Sequence, residues 1–191
     1  MAEIRPDTGR GDAATRRLIG RPGSDLSLVA RAAASQTGDM DGLTIRPLVA
    51  ADRPRWQVLW DGYNAFYGRA GVTALAAEVT DVLWARLFDP AEPVYARVAE
   101  LDGAIAGIVH YLFHRSTTMI EPICYLQDLF TDHAVRGRGV GGALIEAVYG
   151  EARAAGSTRV YWQTHETNAA ARSLYEKVAM RSGFIVYRKQ L

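Results

Sequence analysis

Cysteine is almost absent, with one residue, Cys124, in a chain of 191. A single thiol cannot form an internal disulfide, so the fold must be held by its core. Cys124 sits within an apolar strand-like run, which points to a buried structural thiol rather than a reactive one. Histidine is scarce as well: the four residues are scattered, and no Cys/His spacing suggests a metal ligand set, so no metal is expected. An excess of either charge is missing. Twenty-two Lys and Arg stand against 21 Asp and Glu, a formal net charge of +1. That balance excludes the basic stripe typical of a nucleic-acid binder. No apolar run approaches the roughly 18 residues that a membrane span needs. The first residues lack a signal-peptide core, because Leu18-Ile19 is flanked by arginines and a glycine. The expectation is a cytoplasmic protein with neither nucleic acid nor membrane as partner.

Residues 1–42 have no aromatic side chain and no sustained apolar period, and they are rich in Arg, Asp, Gly, Ala and Ser. This composition predicts a disordered N-terminal extension, with a short marginal helix over Leu26–Ala34. Met40 offers an alternative start of translation. Residues 43–191 carry the aromatic residues, and the chain's 49% hydrophobic content supplies enough for one domain with a real core.

The chain is organised around Tyr125–Tyr149. Tyr125, Leu126, Leu129 and Phe130 read as a strand. A basic, glycine-rich turn follows: Arg136-Gly137-Arg138-Gly139-Val140-Gly141-Gly142. Val140, Leu144, Ala147, Val148 and Tyr149 then recur at helical spacing. A strand, a glycine loop and a helix start direct free backbone N–H groups and the positive end of a helix dipole at one point, which suits a phosphate. Arg136 and Arg138 add charged donors. A solvated β–α turn is the competing reading, yet four glycines within six residues would only weaken a helix start that had no ligand. The Walker alternative fails for want of a Lys-Ser or Lys-Thr pair. The dinucleotide alternative fails on glycine spacing and on its second-strand acid.

Arg136-x-x-Gly139-x-Gly141 resembles the acyl-CoA pyrophosphate motif, [Q/R]-x-x-G-x-[G/A], of the GNAT superfamily of N-acetyltransferases. The downstream VYWQT run, Asn168 and the LYEKV run are similar to the branch that includes small fungal histone and polyamine acetyltransferases. The resemblance covers roughly Leu43 to Leu191. It implies acetyl-CoA as co-substrate, held by Arg136, Gly137, Arg138, Gly139, Val140, Gly141 and Gly142. It also implies that backbone groups of Leu129, Phe130 and Thr131, freed by a bulge in the central strand, bind the pantetheine and polarise the thioester carbonyl.

The remaining pattern predicts a strand over Leu43–Leu48, a helix over Ala51–Tyr67 and a second helix over Thr73–Phe88 with Thr73 as its N-cap. A hairpin follows, Val94–Leu101 and Ala104–Phe113, turning at Asp102-Gly103. The central strand spans Ile123–Asp132, and a helix after the loop stops at Gly156. A strand over Arg159–Thr164, a helix over Ala169–Met180 capped by Thr167 or Asn168, and a last strand over Phe184–Tyr187 complete the chain. The fold class is α/β: a mixed, mostly antiparallel central sheet with helices on both faces, the order that the resemblance implies.

Acetyl transfer to an amine needs a held thioester, a neutral amine, donors for the oxyanion and a proton for the leaving thiolate. Tyr175 could be a packed helix aromatic or a proton donor. The resemblance places it at the family's tyrosine near the CoA sulfur, and Asn168 at a CoA-contacting asparagine, while Asn168 alone reads as a helix cap. Asp128, which by strand alternation faces opposite to Gln127 and Leu129, is the candidate base, against a carboxylate bonded to backbone or to an arginine. Glu121 and His165 are weaker candidates.

The implied reaction is direct attack in a ternary complex on acetyl-CoA. The implied acceptor is a primary amine: a lysine side chain in a peptide, a polyamine or another small amine. Asp61, Glu78, Asp81 and Glu121 could attract a cation. Trp56, Trp60 and Tyr63 are either core or a cation–π wall. A catalytically silent acyl-CoA-binding module is the alternative, and a homodimer through Phe184–Tyr187 is the expected assembly to test.

Overall fold

The computed structural model describes residues 42–191. The N-terminal extension expected over residues 1–42, with its Leu26–Ala34 helix and Met40, lies outside the described residues except for Gly42. The sheet starts from its tightest turn. Asp102 (φ 54°) and Gly103 (φ 79°) are both left-handed, the two-residue geometry whose twist matches a β-hairpin. It joins β2 (Val94–Leu101) to β3 (Ala104–His114). β1 (Leu43–Pro47) pairs antiparallel with β2, and β4 (Ile123–Thr131) antiparallel with β3. β5 (Val160–Tyr161) lies parallel to β4, giving the order β1-β2-β3-β4-β5.

Among the described residues four α-helices cover the sheet: α1 (Arg53–Phe66), α2 (Ala77–Arg86), α3 (Val140–Ala154) and α4 (Ala169–Val178). On one face α3 buries Val140, Leu144, Ile145 and Val148 against Val109, Tyr111 and Leu126. On the other, α1 buries Trp56, Leu59 and Trp60 against Val98, Ile108 and Phe130. The alternation of β3 divides its side chains between the two cores. Contact is close on both sides. A Cβ on Gly62 of α1 would stand 2.7 Å from the Phe130 ring, and one on Gly107 of β3 would stand 3.0 Å from Leu144. Beneath α3, Arg97 and Glu151 form a buried ion pair. Cys124 is fully buried beside this layer, and burial, with Glu151 as a second cause, pushes its thiol up to about 12.

Two irregularities shape the sheet. Ala99 faces Gly107 but Glu100 faces Ile105, so Ala106 is an extra residue in β3. His110 faces Asp128 but Tyr111 faces Leu126, so Gln127 is an extra residue in β4. A bulge of this kind bends its strand and resets which face each side chain takes.

The sequence expectations fail in four places. The strand expected over Arg159–Thr164 pairs only at Val160 and Tyr161, opposite Cys124 and Tyr125. β4 bends at Gln127 just beyond, and β5 does not follow it. The last strand, Phe184–Tyr187, does not form. Past Val178 the described chain is exposed and forms no helix or strand; a two-residue β5 offers no ladder for another strand to join. The last helix ends at Val178 rather than Met180, with Ala179 already extended. Thr73 does not cap α2. Its hydroxyl donates to the Gly68 carbonyl at 2.6 Å and closes a separate short turn, Gly71–Thr73.

Candidate active site

β4 carries the site because its two edges have different partners. Along Leu126–Thr131 one edge is paired with β3, and the other has left β5 behind at Tyr125. Backbone groups of Leu129–Thr131 on that open edge are therefore available to a ligand. β4 then leads into the glycine loop. Asp132 accepts from Ala134 N–H at 2.9 Å and holds Arg55 at 2.6 Å. The Ala134 amide, and then Arg55, keep its carboxyl below the usual range. Gly137 and Gly139 both have φ 80°, and Gly139 is the N-cap of α3. A left-handed residue at both positions turns the backbone so that the N–H groups of Val140, Gly141 and Gly142, which have no helical acceptor, open to one side. A Cβ on Gly141 would stand 3.2 Å from Leu174 of α4, so α4 seats against the start of α3. Arg136 is exposed and stands in no ion pair among the described residues, whereas Arg138 holds Asp102 at 3.0 Å.

The bulge corrects one expectation. Asp128 does not face away from Gln127: both line one cavity of about 630 Å³, with Trp60, Tyr63, Arg69 and Glu78 on its other walls. Simple alternation fails because Gln127 is the residue inserted in the ladder. Asp128 does lie opposite to Leu129, which packs on the α3 face.

Sequence reasoning missed the partner of Asp128. Trp56 Nε1 donates to His110 Nε2 at 3.0 Å, and His110 Nδ1 lies 3.1 Å from Asp128 Oδ2. An indole nitrogen can only donate, so His110 Nε2 is an acceptor. The neutral ring's proton therefore sits on Nδ1 and is given to the carboxylate. His110 is 1% exposed and Asp128 7%, so a dry Trp56–His110–Asp128 chain holds the carboxylate at the cavity floor. The signal for His110 was present only as a polar residue inside an apolar run, Ile105–Phe113.

Tyrosines ring this carboxylate. Burial, then the Asp128 charge, raises the phenols of Tyr63 and Tyr67 above their ordinary value. Tyr175 packs edge-on against Trp162 at 5.3 Å, and burial, then Tyr67, pushes its phenol up to about 12. Asn168 caps α4: its carbonyl oxygen accepts from Ala171 N–H at 3.4 Å, and its amide donates to Thr164 at 3.1 Å. The other candidates fall elsewhere. Glu121 is exposed and does not line the cavity, while His165 lies tilted against the Tyr67 ring at 5.9 Å. Asp61 accepts from Gln57, and Asp81 pairs with Arg53. Trp56 is core, whereas Trp60, Tyr63 and Glu78 line the cavity.

A cavity on one side of a splayed strand, and a glycine-rich loop leading into a helix at its end, call for comparison with known acyltransferases. The profile of the acetyltransferase (GNAT) family matches residues 56–180. The chain belongs to the GNAT acetyltransferase family. It is 33% identical over 152 residues to the D-amino-acid N-acetyltransferase HPA3 of Saccharomyces cerevisiae, covering 78% of this chain and 91% of that one. It is 30% identical over 147 residues to the uncharacterized N-acetyltransferase YhfO of Bacillus subtilis, covering 76% and 95%. The solved structure of AAC(6')-Iy, in complex with a bisubstrate analogue of CoA, matches in fold with a TM-score of 0.62 at 19% identity, covering 78% and 99%. This GNAT protein is thus an acetyl-CoA-dependent N-acetyltransferase, and its mixed, mostly antiparallel sheet flanked by helices is the family's fold.

Proposed function

We propose that the chain acetylates the primary amine of a small molecule bound in the Asp128 cavity, by direct attack on acetyl-CoA. The observation that carries this reading is the position of Asp128. A carboxylate held by a neutral histidine faces a ligand-sized cavity on one side of β4, and the open strand edge and glycine loop lie along the same strand. In this reading Gly137, Gly139 and the N–H groups of Val140, Gly141 and Gly142 take the pyrophosphate, with Arg136 as the free cation. Backbone groups of Leu129–Thr131 align the thioester.

Asp128 takes a proton from the ammonium, so that the nitrogen lone pair can attack the thioester carbon. As the C–S bond breaks, Tyr175 donates to the departing sulfur. A phenol at about 12 is a weaker acid than a thiol near ~8.5. Net transfer from the phenol alone to a free thiolate is therefore uphill. The step closes when the second proton, shed by the acylated nitrogen, returns to the phenol oxygen directly or through water, so that Tyr175 passes one proton from nitrogen to sulfur and ends as it began. Asn168 supports the CoA side while capping α4. The yeast relative's name brings amino acids into the acceptor class, beside polyamines and lysine side chains. A homodimer and a cytoplasmic location belong to the same proposal.

The test is a thermal-shift and thiol-release screen with acetyl-CoA against amino acids, polyamines, lysine peptides and aminoglycosides. Stabilisation by acetyl-CoA follows from binding to the folded state, and thiol release with one amine class is the expected result. Stabilisation without release from any amine would favour a silent binding module. No stabilisation would overturn the reading of the glycine loop.

A further inference from the structure

The cavity contains an arginine that the acetyl-transfer reading leaves unused. Arg69 follows α1 and lines the same space as Asp128. Its Nε donates to Asn64 Oδ1 at 2.7 Å, and Asn64, itself buried, donates to the Trp60 carbonyl at 2.9 Å. The guanidinium lies over the rings of Tyr63 at 5.6 Å and Tyr67 at 5.4 Å. It is therefore held on three sides by neutral groups. Arg69 stands in no ion pair among the described residues, whereas Arg86, which lines the same cavity, pairs with Glu92 at 3.6 Å. Its terminal nitrogens remain as a planar pair of donors, the geometry that suits a carboxylate best. The Tyr63 phenol lies between opposite charges: Asp128 adds to the rise caused by burial, and Arg69 opposes it.

A cavity built for a polyamine or a lysine side chain gains nothing from a fixed, unpaired guanidinium, since like charges repel. A cavity with a carboxylate at its floor and an unpaired guanidinium on its wall is complementary to a molecule carrying both charges. We propose that the acceptor is a free amino acid, with Arg69 binding its carboxylate while Asp128 faces its amine. This assignment rests on the acetyl-transfer reading above and narrows it. It makes Arg69 a specificity-determining residue that touches the substrate and takes no part in the proton transfers. The aromatic walls, Trp60 and Tyr63, would then receive the side chain.

The experiment is a two-by-two comparison. Wild type and Arg69→Gln are assayed by thiol release with the D and L forms of phenylalanine and leucine, with their carboxamides, and with spermidine. The carboxamide removes the charge from the ligand as the substitution removes it from the protein. Taking the ratio of ratios cancels the different basicities of the amines. The expected result is that wild type prefers acid over carboxamide, and that Arg69→Gln erases about 10-fold to 100-fold of that preference. The loss is expected mainly through KM of the amino acid, with KM for acetyl-CoA unchanged and Arg69→Lys intermediate. Equal use of acid and carboxamide by wild type would overturn the assignment while leaving acetyl transfer standing. So would a preference that Arg69→Gln does not change, or spermidine as the best acceptor. Release with no amine at all would instead sink the acetyl-transfer reading beneath it.

Discussion

The two ends of β4 are built from different materials. At its C-terminal end the proposed acetyl-CoA site is made of backbone: left-handed glycines, the first N–H groups of α3 and an open strand edge. On its α1 face the proposed acceptor site is made of side chains: Asp128, His110, Trp56, Tyr63 and Arg69, drawn from α1, β3, β4 and the turn after α1. A backbone site tolerates side-chain exchange except at glycine, and it binds the same ligand part in any relative. A side-chain site changes its ligand with single substitutions. In the proposed reading, one end sets what group is carried, and the other what receives it.

That contrast is sharpest in turnover. Asp128→Asn keeps an acceptor for His110 but cannot take a proton. Its kcat is expected to fall by about 10²-fold to 10⁴-fold, while stabilisation by acetyl-CoA stays as in wild type. Comparable losses in both readouts would mean that the two ends are not separable. Gly139→Val tests the other end. A β-branched residue at φ 80° carries a strain of about 1–3 kcal/mol, or else it turns the N–H groups away. Isothermal titration is expected to show acetyl-CoA affinity reduced about 10-fold or more, with acceptor KM little changed. Unaltered affinity would remove the cradle from the site.

Tyr175→Phe probes the seam between the two ends. Turnover is expected to drop roughly 10-fold or more at constant acetyl-CoA affinity. Because the phenol is pushed up to about 12, it holds its proton through neutral and moderately alkaline pH. A loss of kcat as pH rises through the neutral to moderately alkaline range, absent in Tyr175→Phe, would contradict this. Trp56→Phe frees His110 Nε2 and with it the tautomer that serves Asp128. A destabilisation of about 1–3 kcal/mol is expected for the orphaned acceptor, with a several-fold lower kcat. An unchanged pH profile would reduce the Trp56–His110 link to packing.

The smallest effect belongs to a pair outside both sites. The Asp52 carboxyl is lowered, chiefly by its hydrogen bonds from Arg46. A depressed folded-state value stabilises the fold above the unfolded value of 3.8, and that stability is lost as pH falls further. Asp52→Asn is expected to flatten the acid limb of stability in urea melts without altering either ligand site.

The proposed cofactor end was legible because its information is local. Arg136-x-x-Gly139-x-Gly141, the cap at Asn168 and the turn at Asp102-Gly103 each lie within a few residues, where backbone sterics decide conformation. The acceptor end was partly legible. Asp128, Trp60 and Tyr63 were singled out, but His110 and Arg69 were not, since their partners lie 18 residues or more away for His110 and across a fold for the cavity wall. The bulge at Gln127 reversed the expected relation between neighbours on β4. A strand at Phe184–Tyr187 was expected from its β-branched and aromatic residues, yet the segment pairs with no strand among the described residues. Strand propensity describes a surface that fits a neighbour and does not supply one.

The sequence by itself determined most of the elements, the hairpin, the glycine-rich turn and the family. Each follows from short-range periodicity or from glycines where only glycine fits. Only the tertiary structure decided that β4 bulges and parts from β5, that Trp56 and His110 hold Asp128, and that Arg69 faces the same cavity with no ion-pair partner among the described residues. Those facts depend on the register between strands and on helix-to-sheet packing. Both are set by the closure of the whole core, and no stretch of the chain carries that information alone.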